Sequence, residues 1–128
     1  MDAKAKTILI VDDTPENLTV LNGILSGTYK VKAAPGGRIA LKIAQATPPD
    51  LIFLDIMMPE IDGYGVLEEL KKNSATAGVP VVFVSAKDES ADRARALAAG
   101  AADYLTKPVD PAKVLKAAAV FTAIPKGS

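Results

Sequence analysis

The 128-residue chain contains neither cysteine nor histidine. Without cysteine there is no disulfide, no thiolate nucleophile and no cysteine-based metal site, which fits a cytosolic protein. Without histidine there is no imidazole base, no imidazole metal ligand and no histidine within the chain to carry a phosphoryl group. Neither sign of charge is in excess, because 15 Lys and Arg residues are matched by 15 Asp and Glu. No global basic excess points to direct nucleic-acid contact, and no polybasic block to a membrane surface. The polar opening Met1-Asp2-Ala3-Lys4-Ala5-Lys6 lacks the apolar centre of a signal peptide, and no apolar run approaches membrane-spanning length. A soluble, cytoplasmic protein is expected. About half of the residues are apolar (49%), enough at this length for one core. One domain over 1–128 is expected, with 1–6 a flexible arm and 125–128 a flexible tail.

The apolar residues fall into short runs separated by helix signals. Thr7 to Val11 (TILIV) reads as a buried strand that stops at Asp12-Asp13. Thr14 suits a helix N-cap and Pro15 the first helical position, with Leu18, Leu21 and Leu25 at helical spacing and Gly27 as the stop. Tyr29 to Ala34 alternates like a half-exposed strand; Pro35-Gly36-Gly37 turns the chain, and Ile39, Ala40, Ile43 and Ala44 mark a second helical stripe ended by Pro48-Pro49. Leu51 to Leu54 is a third strand, followed by a helix with Val66, Leu67 and Leu70 on one face. Val81 to Val84 is a fourth strand ending at Ser85. Ser90 to Ala99 forms an alanine-rich helix stopped by Gly100, Tyr104 to Thr106 a fifth strand, and Pro111 starts the last helix. Strands that are apolar throughout and alternate with helices predict an α/β fold, a parallel sheet covered on both faces.

Such sheets bind ligands beyond the carboxyl ends of their strands, where the strand order reverses. Asp12-Asp13 follows the first strand, Asp55 ends the third, Ser85 ends the fourth and Lys107 lies past the fifth. In the order 2-1-3-4-5 the first and third strands are neighbours, so three carboxylates converge beside a hydroxyl and an ammonium. Like charges so placed require protonation or a cation. Oxygen ligands alone select a hard ion, and magnesium, with manganese as a substitute, fits a site of few carboxylates better than calcium does. Taken singly, Asp12-Asp13 caps a helix, Ser85 ends a strand and Lys107 is a solvated loop lysine. Their meeting at one edge with Asp55, a carboxylate set into the apolar run LIFLDIMMP, points to phosphoryl chemistry on Asp55.

The chain resembles the receiver domain of two-component response regulators, through ILIVDDTPEN, PDLIFLDIMMPEIDGYGVLEEL, VPVVFVSAKDE and GAADYLTKPVD. The resemblance implies a flavodoxin-like (βα)5 doubly wound sandwich with a five-stranded parallel sheet in the order 2-1-3-4-5. It implies that Asp55 accepts a phosphoryl group from a phosphohistidine on a histidine kinase or a histidine phosphotransfer protein. Asp12, Asp13, Asp55 and the main-chain carbonyl of Met57 would hold magnesium, Lys107 would pair with the phosphoryl group, and Ser85 would turn its hydroxyl to it. Tyr104 matches an aromatic switch position whose ring moves inward as Ser85 moves. Met57 and Lys87 would flank the phosphoryl group. A cis Lys107-Pro108 bond is implied, which proline permits. The output surface would be the face of helix four, strand five and helix five, acting on an output domain, a downstream protein or a second copy.

A magnesium phosphatase or phosphotransferase of the haloacid dehalogenase type would share the nucleophile, the metal and the lysine. It needs a second Asp two positions after the nucleophile, where this chain has Met57, so turnover of substrates is not expected and slow loss of its own phosphoryl group is. A nucleotide or flavin module is disfavoured because DDTPEN, not a glycine-rich loop, follows the first strand. The last helix ends AAAVFTAI, apolar nearly all round, which reads either as small alanines tolerated at the surface or as a face covered by a dimer contact or by continuation into an output domain.

Overall fold

A computed structural model describes residues 6–86 and 90–123. Lys87, Ile124, the tail at 125–128 and all of the expected arm except Lys6 lie outside the described residues. The elements run β1 (Thr7–Val11), α1 (Pro15–Leu25), β2 (Lys30–Ala34), α2 (Gly37–Ala46), β3 (Leu51–Asp55), α3 (Gly63–Lys72), β4 (Val81–Ser85), α4 (Ser90–Ala98), β5 (Asp103–Thr106) and α5 (Pro111–Thr122). All strand pairs are parallel, in the order β2-β1-β3-β4-β5. This is the flavodoxin-like sheet expected from the sequence.

Alternation along each strand divides the apolar residues between two cores, one on each side of the sheet. Leu9, Val11, Ile52, Leu54 and Phe83 face α2, α3 and α4, with Val66, Leu67 and Leu70 packed on them. Ile8, Ile10, Leu51, Phe53, Val82 and Val84 face α1 and α5, against Leu21, Leu25, Val114 and Ala118. Every residue of β3 and β4 is buried, Asp55 and Ser85 included. Among the described residues no helix is long and apolar enough to cross a membrane.

Several local expectations are corrected. Thr14 is the N-cap residue of α1, as expected, but it makes no side-chain capping bond; its carbonyl accepts from Asn17 and Leu18, and Pro15 spares the helix one unpaired N–H. Helix α1 closes at Ser26 in right-handed geometry, one residue before Gly27. Ile39 is exposed, because α2 turns its small residues Gly37, Ala40 and Ala44 inward. A Cβ on Gly37 would lie 2.6 Å from Ile61 Cγ2 and 2.7 Å from Val66 Cγ2, so α2 meets this surface where no larger side chain fits. Helix α5 buries Val114, Ala117, Ala118 and even Thr122, whose hydroxyl donates to the Ala118 carbonyl at 2.7 Å. Leu115 and Val120 face outward, so the exposed side of α5 carries apolar groups as well as Lys113 and Lys116.

Candidate functional site

The register of the sheet brings the polar strand ends together. Val11 pairs with Leu54 and Asp55 with Val84, so the residues just past β1 stand beside the last residue of β3 and the end of β4. Asp12 is 1% exposed and Asp55 4%, whereas Asp13 is exposed. Asp12 is oriented locally: its Oδ1 accepts from Thr14 N at 2.9 Å. One carboxylate oxygen from each of Asp12, Asp13 and Asp55 lies within 4.8 Å of the others.

Lys107 reaches this group from the end of β5. Its amide donates to the Ser85 carbonyl at 2.7 Å, and the Lys107-Pro108 bond is cis as expected. Its Nζ stands 2.9 Å from Asp12 Oδ2 and 3.2 Å from Asp55 Oδ1. The resemblance pairs Lys107 with a phosphoryl group on Asp55; nothing in the sequence marks Asp12 as the shorter contact, since that depends on the depth to which β1 and β3 bury their ends. Ser85 is 2% exposed at the end of β4 and sits in register with Thr106. Tyr104, expected to travel inward on switching, already stands inward at 3% exposure. The Met57 side chain is exposed.

Electrostatics follow from this crowding. Burial, then the charge of Asp12, raises the Asp55 pKa above the ordinary carboxylate value, against the lowering influence of Lys107. Burial would lower the pKa of Lys107, but its hydrogen bond to Asp12 and the charge of Asp55 more than reverse this and hold it above its ordinary value. The raised Asp55 pKa means that the proton is held more firmly in the folded chain than in the unfolded one, and that this contribution to stability is lost as pH rises through the folded pKa. In chelator at neutral pH, Asp55→Asn should therefore melt at a higher temperature than the wild type, with the gain fading toward acid pH. A melting series against pH checks this; a lower melting temperature at neutral pH would contradict it.

The donor set fits a hard divalent cation. It is all oxygen, it holds two buried carboxylates and one exposed, and its single ammonium leaves negative charge in excess. Asp12, Asp13 and Asp55 could hold magnesium there.

The geometry agrees with comparisons to known proteins. The sequence matches the response regulator receiver domain family over residues 8–119. Response regulator PleD of Caulobacter vibrioides is 43% identical over 104 residues, which cover 80% of this chain and 23% of PleD. The chain thus spans about a quarter of the length of such curated relatives. Protein PilH of Pseudomonas aeruginosa is 39% identical over 111 residues, 85% of this chain and 91% of PilH. The receiver domain of a sensor histidine kinase of Pseudomonas aeruginosa PAO1, solved with magnesium in its active-site cleft, superposes with a TM-score of 0.85 at 30% identity. The superposition covers 94% of this chain and 99% of that one. A family match across nearly the whole sheet, with acidic, hydroxyl and lysine side chains gathered at one edge, establishes that this chain belongs to the response regulator receiver domains, the signalling domains of two-component systems.

Proposed function

We propose that this domain takes a phosphoryl group from a partner's phosphohistidine onto Asp55, in a magnesium-dependent reaction, and so switches the face formed by α4, β5 and α5. The observation that carries the reading is the bridging of buried Asp12 and Asp55 by the Lys107 ammonium, within reach of Asp13. In the transfer the histidine N–P bond breaks and a P–O bond to an Asp55 carboxylate oxygen forms. Lys107, between the two carboxylates, would pair with an incoming phosphoryl oxygen. Ser85, at the neighbouring strand end, would turn its hydroxyl to another. Asp12, Asp13, Asp55 and the Met57 carbonyl would hold the magnesium ion, which when bound offsets the charge of the transferred group.

The domain itself spans the single fold described above. The donor would be a histidine kinase or histidine phosphotransfer protein, since no histidine is available within this chain. The receiver of the signal would be an output domain, a downstream protein or a second copy, for which exposed Leu115 and Val120 on α5 offer apolar contact. The phosphatase reading lacks its acid-base group, because Met57 stands two positions after Asp55. Magnesium and acetyl phosphate should add one phosphoryl group to the intact mass of the wild type. Asp55→Asn, or wild type in chelator, should show none; a wild-type protein that gains no mass would refute the reading.

A further inference from the structure

Helix α4 is attached to the molecule differently from its neighbours. Of its residues 91–98 only Ala96 is buried, whereas α3 buries Gly63, Val66, Leu67 and Leu70, and α5 buries Val114, Ala117, Ala118 and Thr122. Over these eight residues a single buried methyl group is a slight anchor.

Two arginines supply further attachment. Arg93 donates from Nη1 to the main-chain carbonyl of Tyr104 at 2.8 Å and from Nη2 to Asp103 Oδ1 at 2.8 Å. The same carboxylate oxygen accepts from Tyr104 N at 2.8 Å. The guanidinium therefore holds Tyr104 at its carbonyl directly and at its amide through Asp103. Arg95 lies over the Tyr64 ring, with Cζ 4.2 Å from the centroid, and that ring packs on Phe83 at a centroid distance of 5.0 Å. Phe83 is the β4 partner of Tyr104 in the parallel register. Arg93 thus ties α4 directly to Tyr104, while Arg95 reaches its neighbour Phe83 only through the Tyr64 ring.

We propose that Arg93 is a positioning residue of the switch, making α4 and the Tyr104 main chain move as one body. The inference rests on Tyr104 as the switch residue and names the physical link by which its position reaches α4. Arg93 is 52% exposed, so its ion pair adds little to global stability. Its planar fork supplies geometry instead: one group meets a carbonyl and a carboxylate together, which a lysine ammonium at the end of a flexible stem does poorly. Because α4 buries so little, losing this link frees the helix without opening the sheet.

Amide hydrogen exchange tests the link in wild type, Arg93→Ala and Arg93→Lys, first without a phosphate donor and then with acetyl phosphate and magnesium. In unphosphorylated Arg93→Ala, the α4 amides should exchange about tenfold faster than in wild type, while β1 and β3 stay within about twofold. Arg93→Lys should recover less than half of the lost protection. On phosphorylation, the change at residues 103–106 should accompany a change in α4 in the wild type and become uncoupled from it in both variants. The proposal is overturned if α4 protection survives in Arg93→Ala, if lysine restores it fully, or if β1 and β3 lose protection to the same degree. Should Arg93→Ala not fold, the role is structural and the proposal is likewise overturned unless Arg93→Lys folds and shows the α4-specific loss. Intact mass of the same samples reports phosphoryl uptake separately: no uptake would sink the phosphoacceptor reading, while the comparison without donor still decides the link.

Discussion

Lys107→Ala should slow phosphoryl uptake at Asp55 by roughly a hundredfold, the usual scale for removing one positioned donor from a developing charge, while tightening magnesium binding by about tenfold. The two effects oppose because the ammonium occupies the space between the carboxylates, 2.9 Å from Asp12 and 3.2 Å from Asp55. Without it, two buried carboxylates lose their counter-charge and the site becomes more negative. That attracts a divalent cation more strongly but leaves one oxygen of the incoming phosphoryl group without its partner. In chelator the variant should be less stable by about 1 to 3 kcal/mol, the cost of leaving a largely buried charge unpaired. Saturating magnesium should narrow that gap. The raised Lys107 pKa sets the alkaline limit: its contribution is complete below the ordinary lysine value of 10.5 and disappears as pH rises through the folded pKa. The stability difference should therefore persist into strong alkali before it is lost on that side, and shrink also toward acid pH as Asp55 takes up its proton. Metal titration, uptake rates with acetyl phosphate and melting curves measure the three effects; unchanged uptake would show that Lys107 does not meet the phosphoryl group.

Legibility differed between strands and helices for a physical reason. Strands such as LIFLD and VVFVS are buried on both faces, so an uninterrupted apolar run marks them and its end marks the sheet edge. Together with the strand order 2-1-3-4-5, that brings Asp12, Asp13, Asp55, Ser85 and Lys107 to one edge. Helical faces were harder, because closeness can matter more than hydrophobicity. Ile39 looks like a core residue by spacing, yet α2 buries Gly37, Ala40 and Ala44, and the bulky residue is left outside. Thr14 has the chemistry of an N-cap, but Asp12 Oδ1 already takes the Thr14 amide and shapes the turn by itself. Arg93 carried no sequence signal. A helix arginine reads as a solvated charge, and its partners at Asp103 and Tyr104 become visible only when β5 lies beside α4. The depth of Asp12 is of the same kind: the sequence shows two adjacent carboxylates, and only packing decides that one is buried and its neighbour exposed.

Gly63→Ala should be the most damaging single-methyl change in the domain. A Cβ at this position would lie 2.6 Å from the Asp55 carbonyl oxygen, 2.8 Å from Ile56 Cα and 3.0 Å from Phe83 Cε1. Two of the three obstacles are backbone, and the third belongs to a fully buried ring, so no flexible side chain can yield. Gly63 also donates its amide to the Ile56 carbonyl at 2.8 Å, which fixes the start of α3 against the end of β3. Relief requires α3 to withdraw or the Asp55 strand end to shift. A cost of about 3 kcal/mol or more follows from overpacking against an unyielding wall, or a melting temperature lower by roughly 10 °C. Gly23→Ala is the matched control. It sits on the exposed side of α1 with nothing within 4 Å of the added methyl, and should gain about 0.5 to 1 kcal/mol from better helix propensity. Because the Gly63 variant disturbs the residue that would accept the phosphoryl group, its uptake rate should fall even at temperatures where it remains folded, whereas Gly23→Ala should match the wild type. Thermal unfolding with uptake measured well below each midpoint separates the two losses. A folded Gly63→Ala that takes up phosphate at the wild-type rate would show that the position of the β3 end is not what the close approach of α3 secures.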